Sequence, residues 1–166
     1  MPPRAKSRTS SAAPADALPR GCTHFKLKQL SRSVSRRFDG TVSASGLKTT
    51  QFSLLNHVVL LGPIRPSDLA ARMSLDASTL TRNLQPLVAQ GWVEQVAGVD
   101  ARSRLITLTD AGHAKWAETR RLWKQAQVGL NDHLGAERVV RLHALLDECM
   151  ALMAGDQGDS DEQRDE

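Results

Sequence analysis

The sequence predicts a mainly α-helical subunit carrying one small β-hairpin, and three observations support this. Between positions 21 and 154, apolar residues recur at spacings of three and four along most of the chain, as they do in helices that bury one face. That rhythm breaks at one place, where two short β-prone runs, 92–96 and 105–109, flank a polar connection. Composition is the third: 40% of the 166 residues are apolar and 24% are charged, the balance of a globular core inside a polar surface.

The same composition excludes several classes. No apolar run approaches the roughly 18 to 20 residues of a spanning helix, and the first twenty residues lack the continuous apolar stretch of a secretory leader. The expectation is a cytoplasmic chain with no membrane partner. Cys22 and Cys149 are the only cysteines, too few for a disulfide scaffold or a site of four cysteines. The net charge of +4 is unevenly spread: residues 1–20 carry +3, residues 155–166 carry −5, and the body carries +6. Both ends read as disordered tails, basic at the start and acidic at the end, because their composition offers too little apolar area to offset ordering entropy. Residues 21–154 are then the ordered subunit.

The first helix is expected from Cys22 to about Ser43, with Leu27, Leu30, Val34 and Phe38 on one face. A second opens at Thr49 or Thr50, carries Phe52, Leu55, Val58, Val59 and Leu61, and stops at Gly62-Pro63. Pro66 suits the first turn of a third helix that buries Leu69, Ala70 and Met73. Asp76 can cap a fourth helix, Ala77 to Gln90, which Gly91 closes.

This fourth helix is the most informative segment. Successive residues 100° apart place Leu80, Leu84, Leu87 and Val88 on one side, Ser78, Thr79, Arg82 and Gln85 on the other, and Thr81 and Asn83 at the flanks. A solvated face would more typically carry Glu/Lys pairs, yet no acid lies between Asp76 and Glu94. Short or planar side chains rich in donors suit a major groove, where Arg takes guanine edges and Asn or Gln adenine edges. Pro86 removes an amide donor and crowds the Arg82 carbonyl; on the outer side, it predicts a local bend rather than a break.

The runs Trp92–Val96 and Leu105–Thr109 then form a hairpin with a long, exposed, basic tip. Helix, turn, helix and hairpin together make a winged helix-turn-helix lobe. Arg102 and Arg104, with Ser103 between them, lie on an extended wing, and Asp100 can support one arginine while the other enters a minor groove.

Residues Arg65 to Gly112 resemble the DNA-binding lobe of the MarR family of bacterial transcription regulators. The resemblance rests on S-T-L-T-R (Ser78 to Arg82), L-x-x-x-G-[LW]-V (Leu87 to Val93), D-x-R-x-R (Asp100, Arg102, Arg104) and L-T-x-x-G (Leu108, Thr109, Gly112). Pro86 is the oddity within it. The resemblance implies a homodimer with interlocked terminal helices, a winged lobe over residues 48–110, and dimerisation helices over 21–46 and 111–154. It also implies a repressor of double-stranded DNA with a pseudo-palindromic operator, associated with the nucleoid when bound. A small aromatic or phenolic effector would release it. Arg32, Arg36, His57 and Trp116 are the candidate effector ligands.

The remaining apolar stripes agree. Trp116, Trp123 and Leu130 recur every seven residues, with Leu122 and Ala126 beside them, and Val139, Leu142, Leu146, Cys149 and Met153 form a second line. Both read as dimer seams.

No catalytic, cofactor or metal site is expected. Phosphate-loop, dinucleotide, zinc-protease and nucleophile-elbow signatures are all missing, and Cys22-Thr23-His24 has no zinc spacing. Two other readings remain open. Some MarR relatives sense oxidants with a cysteine near the start of the first helix, and Cys22 there, with Cys149 as resolving thiol, would make a redox-sensing repressor. This chain has no Tyr, however, whereas tyrosines hold the thiolate in that subgroup, and Cys22 falls about two residues out of step. The second alternative is a winged-helix module that binds protein and not DNA.

Overall fold

The structure is a computed structural model, and it describes residues 20–98 and 104–158, with side chains up to Ala154. Six α-helices and one hairpin follow in the order α1 (Thr23–Val42), α2 (Thr49–Leu61), α3 (Pro66–Arg72), α4 (Ala77–Ala89), β1 (Val93–Ala97), β2 (Arg104–Leu108), α5 (Asp110–Leu134) and α6 (Ala136–Gly158). A single 3-10 turn, Ser43–Ser45, joins α1 to the loop before α2. α6 continues four residues into the stretch that the sequence assigned to the acidic tail.

Helices α2, α3 and α4 and the hairpin enclose one core. Leu54, Leu55 and Val58 of α2, Leu69 and Ala70 of α3, Leu80, Leu84 and Leu87 of α4, and Val93, Ile106 and Leu108 of the hairpin are buried together. The strands are antiparallel, with Val93 opposite Leu108 and Gln95 opposite Ile106. A feature that the sequence did not suggest completes this layer: Ile64, between α2 and α3, exchanges both backbone hydrogen bonds with Ile106, at 3.1 and 2.8 Å. The hairpin is thereby held to the α2–α3 connection as well as to α4.

The turns have separate causes. Asp76 caps α4, and Pro66 occupies the first position of α3, where its missing N–H costs nothing. Gly91 follows α4 with φ at +69°, the left-handed geometry that lets Trp92 N–H reach back to the Leu87 carbonyl at 3.0 Å. α4 runs unbroken through Pro86, which lies on its exposed side.

α1 and α5 pack along each other outside the lobe. Trp123 meets Phe38 of α1 with ring centroids 5.9 Å apart and Phe52 of α2 at 6.3 Å, and Ala126 is buried beside them. Trp116 covers the lobe core and donates its Nε1–H to Asn56 Oδ1 at 3.1 Å. Much of the α5 stripe thus makes contacts inside the subunit, while Trp116, Leu122, Trp123 and Leu130 are left half-buried. The 100° spacing located the apolar face but could not say which surface covers it.

α6 differs. Among its described residues only Val139 is buried, while Val140, Leu145, Met150, Leu152 and Met153 are exposed. Phe25, Leu27 and Leu30 at the start of α1 are exposed as well. An apolar groove of about 320 Å³ lies between α1, α5 and α6, floored by Phe38, Leu130, Val139 and Leu142.

One contact fixes α5 against the lobe. A Cβ at Gly112 would lie 1.9 Å from the Trp92 carbonyl oxygen and 2.9 Å from its carbon. No side chain fits there, and the obstacle is backbone that cannot rotate aside. Gly112→Ala should therefore lower unfolding free energy by about 2 to 3 kcal/mol, as overpacking does in tight sites. Urea denaturation monitored by tryptophan fluorescence measures it; a wild-type midpoint would show that α5 is free to shift.

Candidate nucleic-acid interface

The α4 surface is built from its buried side outward. Leu80, Leu84 and Leu87 anchor the helix on the lobe core, and this leaves Ser78, Thr81, Arg82 and Gln85 on the exposed side, at spacings of three and four. Those four share one arc. Thr79 and Asn83 are half-buried on a flank. Val88 differs from the sequence expectation: it is 44% exposed, not buried. The line of contact runs through Leu80, Leu84 and Leu87, and Val88, rotated about 100° from Leu87, falls outside it.

A shallow cleft of about 450 Å³ borders this face, lined by Thr81, Leu84, Gln85, Val88 and Ala89 of α4, by Pro66 of α3 and by Gln95 of β1. None of Pro66, Val88 and Gln95 was placed at this interface from sequence. Strand alternation gave no signal for Gln95, because it places Gln95 on the face of Val93, yet the residue is exposed.

The first turn of α4 is organised by one carboxylate. Asp76 Oδ1 accepts from Ser78 Oγ at 2.6 Å and from Thr79 N–H at 2.7 Å, and Oδ2 accepts from Thr79 Oγ1 at 2.8 Å. The Ser78 hydroxyl contributes most to holding the Asp76 carboxyl well below the usual carboxylate range, followed by the Thr79 amide and hydroxyl. Thr81 Oγ1 donates to the Ala77 carbonyl at 2.8 Å, within the helix. Arg82 is exposed, on the side of α4 away from the core.

Arg104 is the first residue of β2, exposed, opposite Ala97. The assignments to Asp100, Arg102 and Ser103 lie outside the described residues.

The four candidate effector residues are spread out. Arg32 and Arg36 lie exposed on α1, with Arg36 donating to Ser33 Oγ at 3.4 Å. His57 is half-buried on α2, its Nδ1 2.8 Å from the Ser53 carbonyl. Trp116 is bound to Asn56, the neighbour of His57, and the Arg120 guanidinium sits 5.2 Å from its ring centre. Trp116 thus lies on the α2–α5 seam and His57 is the next residue of α2 after Asn56, while none of the four lines the apolar groove between α1, α5 and α6.

Cys22 stands at the N-cap position of α1, where its side chain makes no capping hydrogen bond, and is exposed, as is Cys149 of α6. The Lys26 ammonium donates to the Arg20 carbonyl. Among the described residues no cluster of three or more His, Cys, Asp or Glu side chains could hold a metal, and no helix is long and apolar enough to cross a membrane.

A second clip ties the interface to the long helices. Asp39 near the end of α1 accepts from Thr49 Oγ1 at 2.6 Å and Thr49 N–H at 2.9 Å, capping α2 from outside. The Thr49 hydroxyl, then its amide, lowers the Asp39 carboxyl below its ordinary value.

Comparison with known proteins fits this geometry. The family model described as MarR family matches residues 45–103. The multiple antibiotic resistance protein MarR of Escherichia coli K12 is 30% identical over 122 residues, spanning 72% of this chain and 85% of that protein. The chain belongs to the MarR family. Members of this MarR family are transcriptional regulators and not enzymes. An uncharacterised HTH-type transcriptional regulator of Bacillus subtilis, YwoH, is 27% identical over 56% of this chain and 68% of its own length. Among solved structures, the M. tuberculosis transcriptional regulator MosR in complex with DNA is 33% identical, covers 80% of this chain and 98% of its own, and superposes with a TM-score of 0.67. A cysteine-to-serine mutant of E. coli MarR with operator DNA is 27% identical, with coverages of 76% and 91% and a TM-score of 0.70.

The capping carboxylate has a pH signature. An Asp in the unfolded chain titrates at about 3.9, and in the folded chain Asp76 titrates lower, so its stabilising effect is complete above the unfolded value and is lost as pH falls through the folded one. Asp76→Ala should lower the melting temperature at neutral pH, with the gap to wild type closing in strong acid. Circular dichroism melts across that range test it, and a gap independent of pH would remove the carboxylate from the cap.

Proposed function

We propose that this MarR-family chain binds double-stranded DNA as a homodimeric repressor, with two copies of α4 in successive major grooves of a pseudo-palindromic operator and the wings on flanking minor grooves or phosphates. The observation that carries the reading is the α4 face: Ser78, Thr81, Arg82 and Gln85 are exposed side by side, with no acid among them, on a helix whose opposite side is locked into the core. Likeness to MosR and MarR, both solved with DNA, supports it. Thr79 and Asn83 border the same face, and Arg102, Ser103 and Arg104 belong to the wing, with Asp100 as its support. The lobe over 48–110 reads DNA, and the segments 21–46 and 111–154 join the subunits.

Release follows when a small aromatic or phenolic effector binds where the long helices meet the lobe and alters the distance between the two α4 helices. The Trp116–Asn56 hydrogen bond across the α2–α5 seam supports that place, with His57 as the candidate from α2 and Arg32 and Arg36 as the charged candidates on α1. The protein works in the cytoplasm, on the nucleoid when bound.

Arg82→Ala should cost about 1 to 3 kcal/mol on the selected operator and much less on random duplex, whereas Arg104→Ala should reduce the salt slope of binding by about one phosphate per subunit. Fluorescence anisotropy titrations at several salt concentrations measure both. Equal losses for Arg82→Ala on both duplexes would make it a phosphate contact, and binding without salt dependence would favour a protein-binding module.

The exposed apolar residues of α1 and α6 support the dimer. Deleting residues 136–154 should therefore cause aggregation or unfolding, and sedimentation should show the intact chain as a dimer. A folded, soluble monomer from the deletion would refute the interlocked assembly.

A further inference from the structure

We infer that Ser78 and Thr81 read amino groups on base edges, selecting adenine or cytosine, and do not hold phosphates. The inference rests on the DNA-binding reading above and specifies what that face takes. Its basis is a count of hydrogens. A hydroxyl has one O–H to donate and two lone pairs to accept with. Ser78 Oγ lies 2.6 Å from Asp76 Oδ1, and an ionised carboxylate only accepts, so the Ser78 hydrogen is committed there. Thr81 Oγ1 lies 2.8 Å from the Ala77 carbonyl, which likewise only accepts. Thr79 Oγ1 is committed in the same way to Asp76 Oδ2 at 2.8 Å. All three hydroxyls at the start of α4 therefore offer lone pairs, and no hydrogen, to an incoming partner.

That restriction decides which partners suit them. A phosphate oxygen has no hydrogen to give, so it cannot bond to a hydroxyl whose own hydrogen is taken. In the major groove the donors are the adenine 6-amino and cytosine 4-amino groups, whereas guanine presents acceptors there and thymine an acceptor and a methyl group. Electrostatics points the same way. A helix start usually attracts phosphate through its free amides, but here Asp76 occupies the Thr79 amide and places a full negative charge two residues from Ser78. Freeing the Ser78 hydroxyl for a phosphate would break a charge-assisted hydrogen bond and bring two anions together. Both hydroxyls are on the exposed arc beside Arg82 and Gln85, so the face alternates acceptors with donors. Such a face suits mixed base edges better than a uniformly charged backbone.

The test couples protein and DNA changes. An operator is first selected from a random duplex pool with the full chain. Each adenine is then replaced singly by purine, which lacks the 6-amino group, and each cytosine by 2-pyrimidinone, which lacks the 4-amino group. Affinities are measured for wild type, Ser78→Ala and Thr81→Val. At one position per half-site for each residue, removal of the amino group should cost wild type about five- to tenfold more than it costs the matching variant. Methylphosphonate at single phosphates should cost wild type and variants alike. Each residue stands or falls by its own cycle. Coupling of Ser78→Ala or Thr81→Val to a methylphosphonate and not to a base, or strict additivity at every adenine and cytosine, overturns the inference for that residue while leaving DNA binding intact. A chain that selects no duplex and binds none overturns the DNA-binding reading and this inference with it.

Discussion

The junction where α5 leaves the hairpin governs how the parts of this molecule are arranged. Thr109 N–H reaches the Trp92 carbonyl at 3.2 Å, Thr109 Oγ1 donates to the Gly91 carbonyl at 2.6 Å, and the same hydroxyl accepts from Gly112 N–H at 3.0 Å. One threonine thus closes the hairpin, receives the end of α4 and starts α5. The arrangement works only because Gly112 presents no side chain to the Trp92 carbonyl. Lys115, one turn later, bonds the Ser45 carbonyl at 3.1 Å and lies 5.2 Å from the Trp92 ring centre, so the start of α5 also holds the end of α1. Through this node the long helices and the reading helix share one frame of reference.

A second path links the same bodies. Asp39 and Thr49 fasten α1 to α2, Trp123 sits between Phe38 and Phe52, and Arg37 donates to the Gly129 carbonyl at 3.2 Å. A change in the crossing of α1 and α5 would reach α2 directly, and α4 through the shared core of Leu54, Leu55 and Leu80. Tightly packed interiors transmit displacements of this kind because they have little free volume to absorb them.

Much of this was legible in the sequence, for reasons that particular residues make clear. Helix limits came within a residue or two where a local signal marks them: Pro66 and Asp76 at starts, Gly62 and Gly91 at ends. The exposed arc of Ser78, Arg82 and Gln85 followed from the 100° rotation per residue. Contacts between residues distant in the chain were not legible. The Ile64–Ile106 bridge, the Asp39–Thr49 clip and the Trp123 cluster join residues that no spacing rule connects. Val88 was misplaced for a related reason, since an apolar residue at the edge of a stripe is buried only if something stands opposite it. Ser78 was recognised as polar and outward, but the direction of its hydrogen depended on Asp76, whose role as a cap was visible and whose second task was not.

The sparse footing of α6 has its own consequence. A 23-residue helix that buries one described side chain, Val139, in its own subunit has little of the tertiary packing from which helices in proteins draw most of their stability. In a lone chain its amide protons would exchange readily with solvent beyond the first turns, while those of α2 stayed protected by the core around Leu54 and Leu55. Within one chain, then, order is graded from a lobe packed around Leu54 and Leu55 to a C-terminal helix that its own subunit supports almost only through Val139.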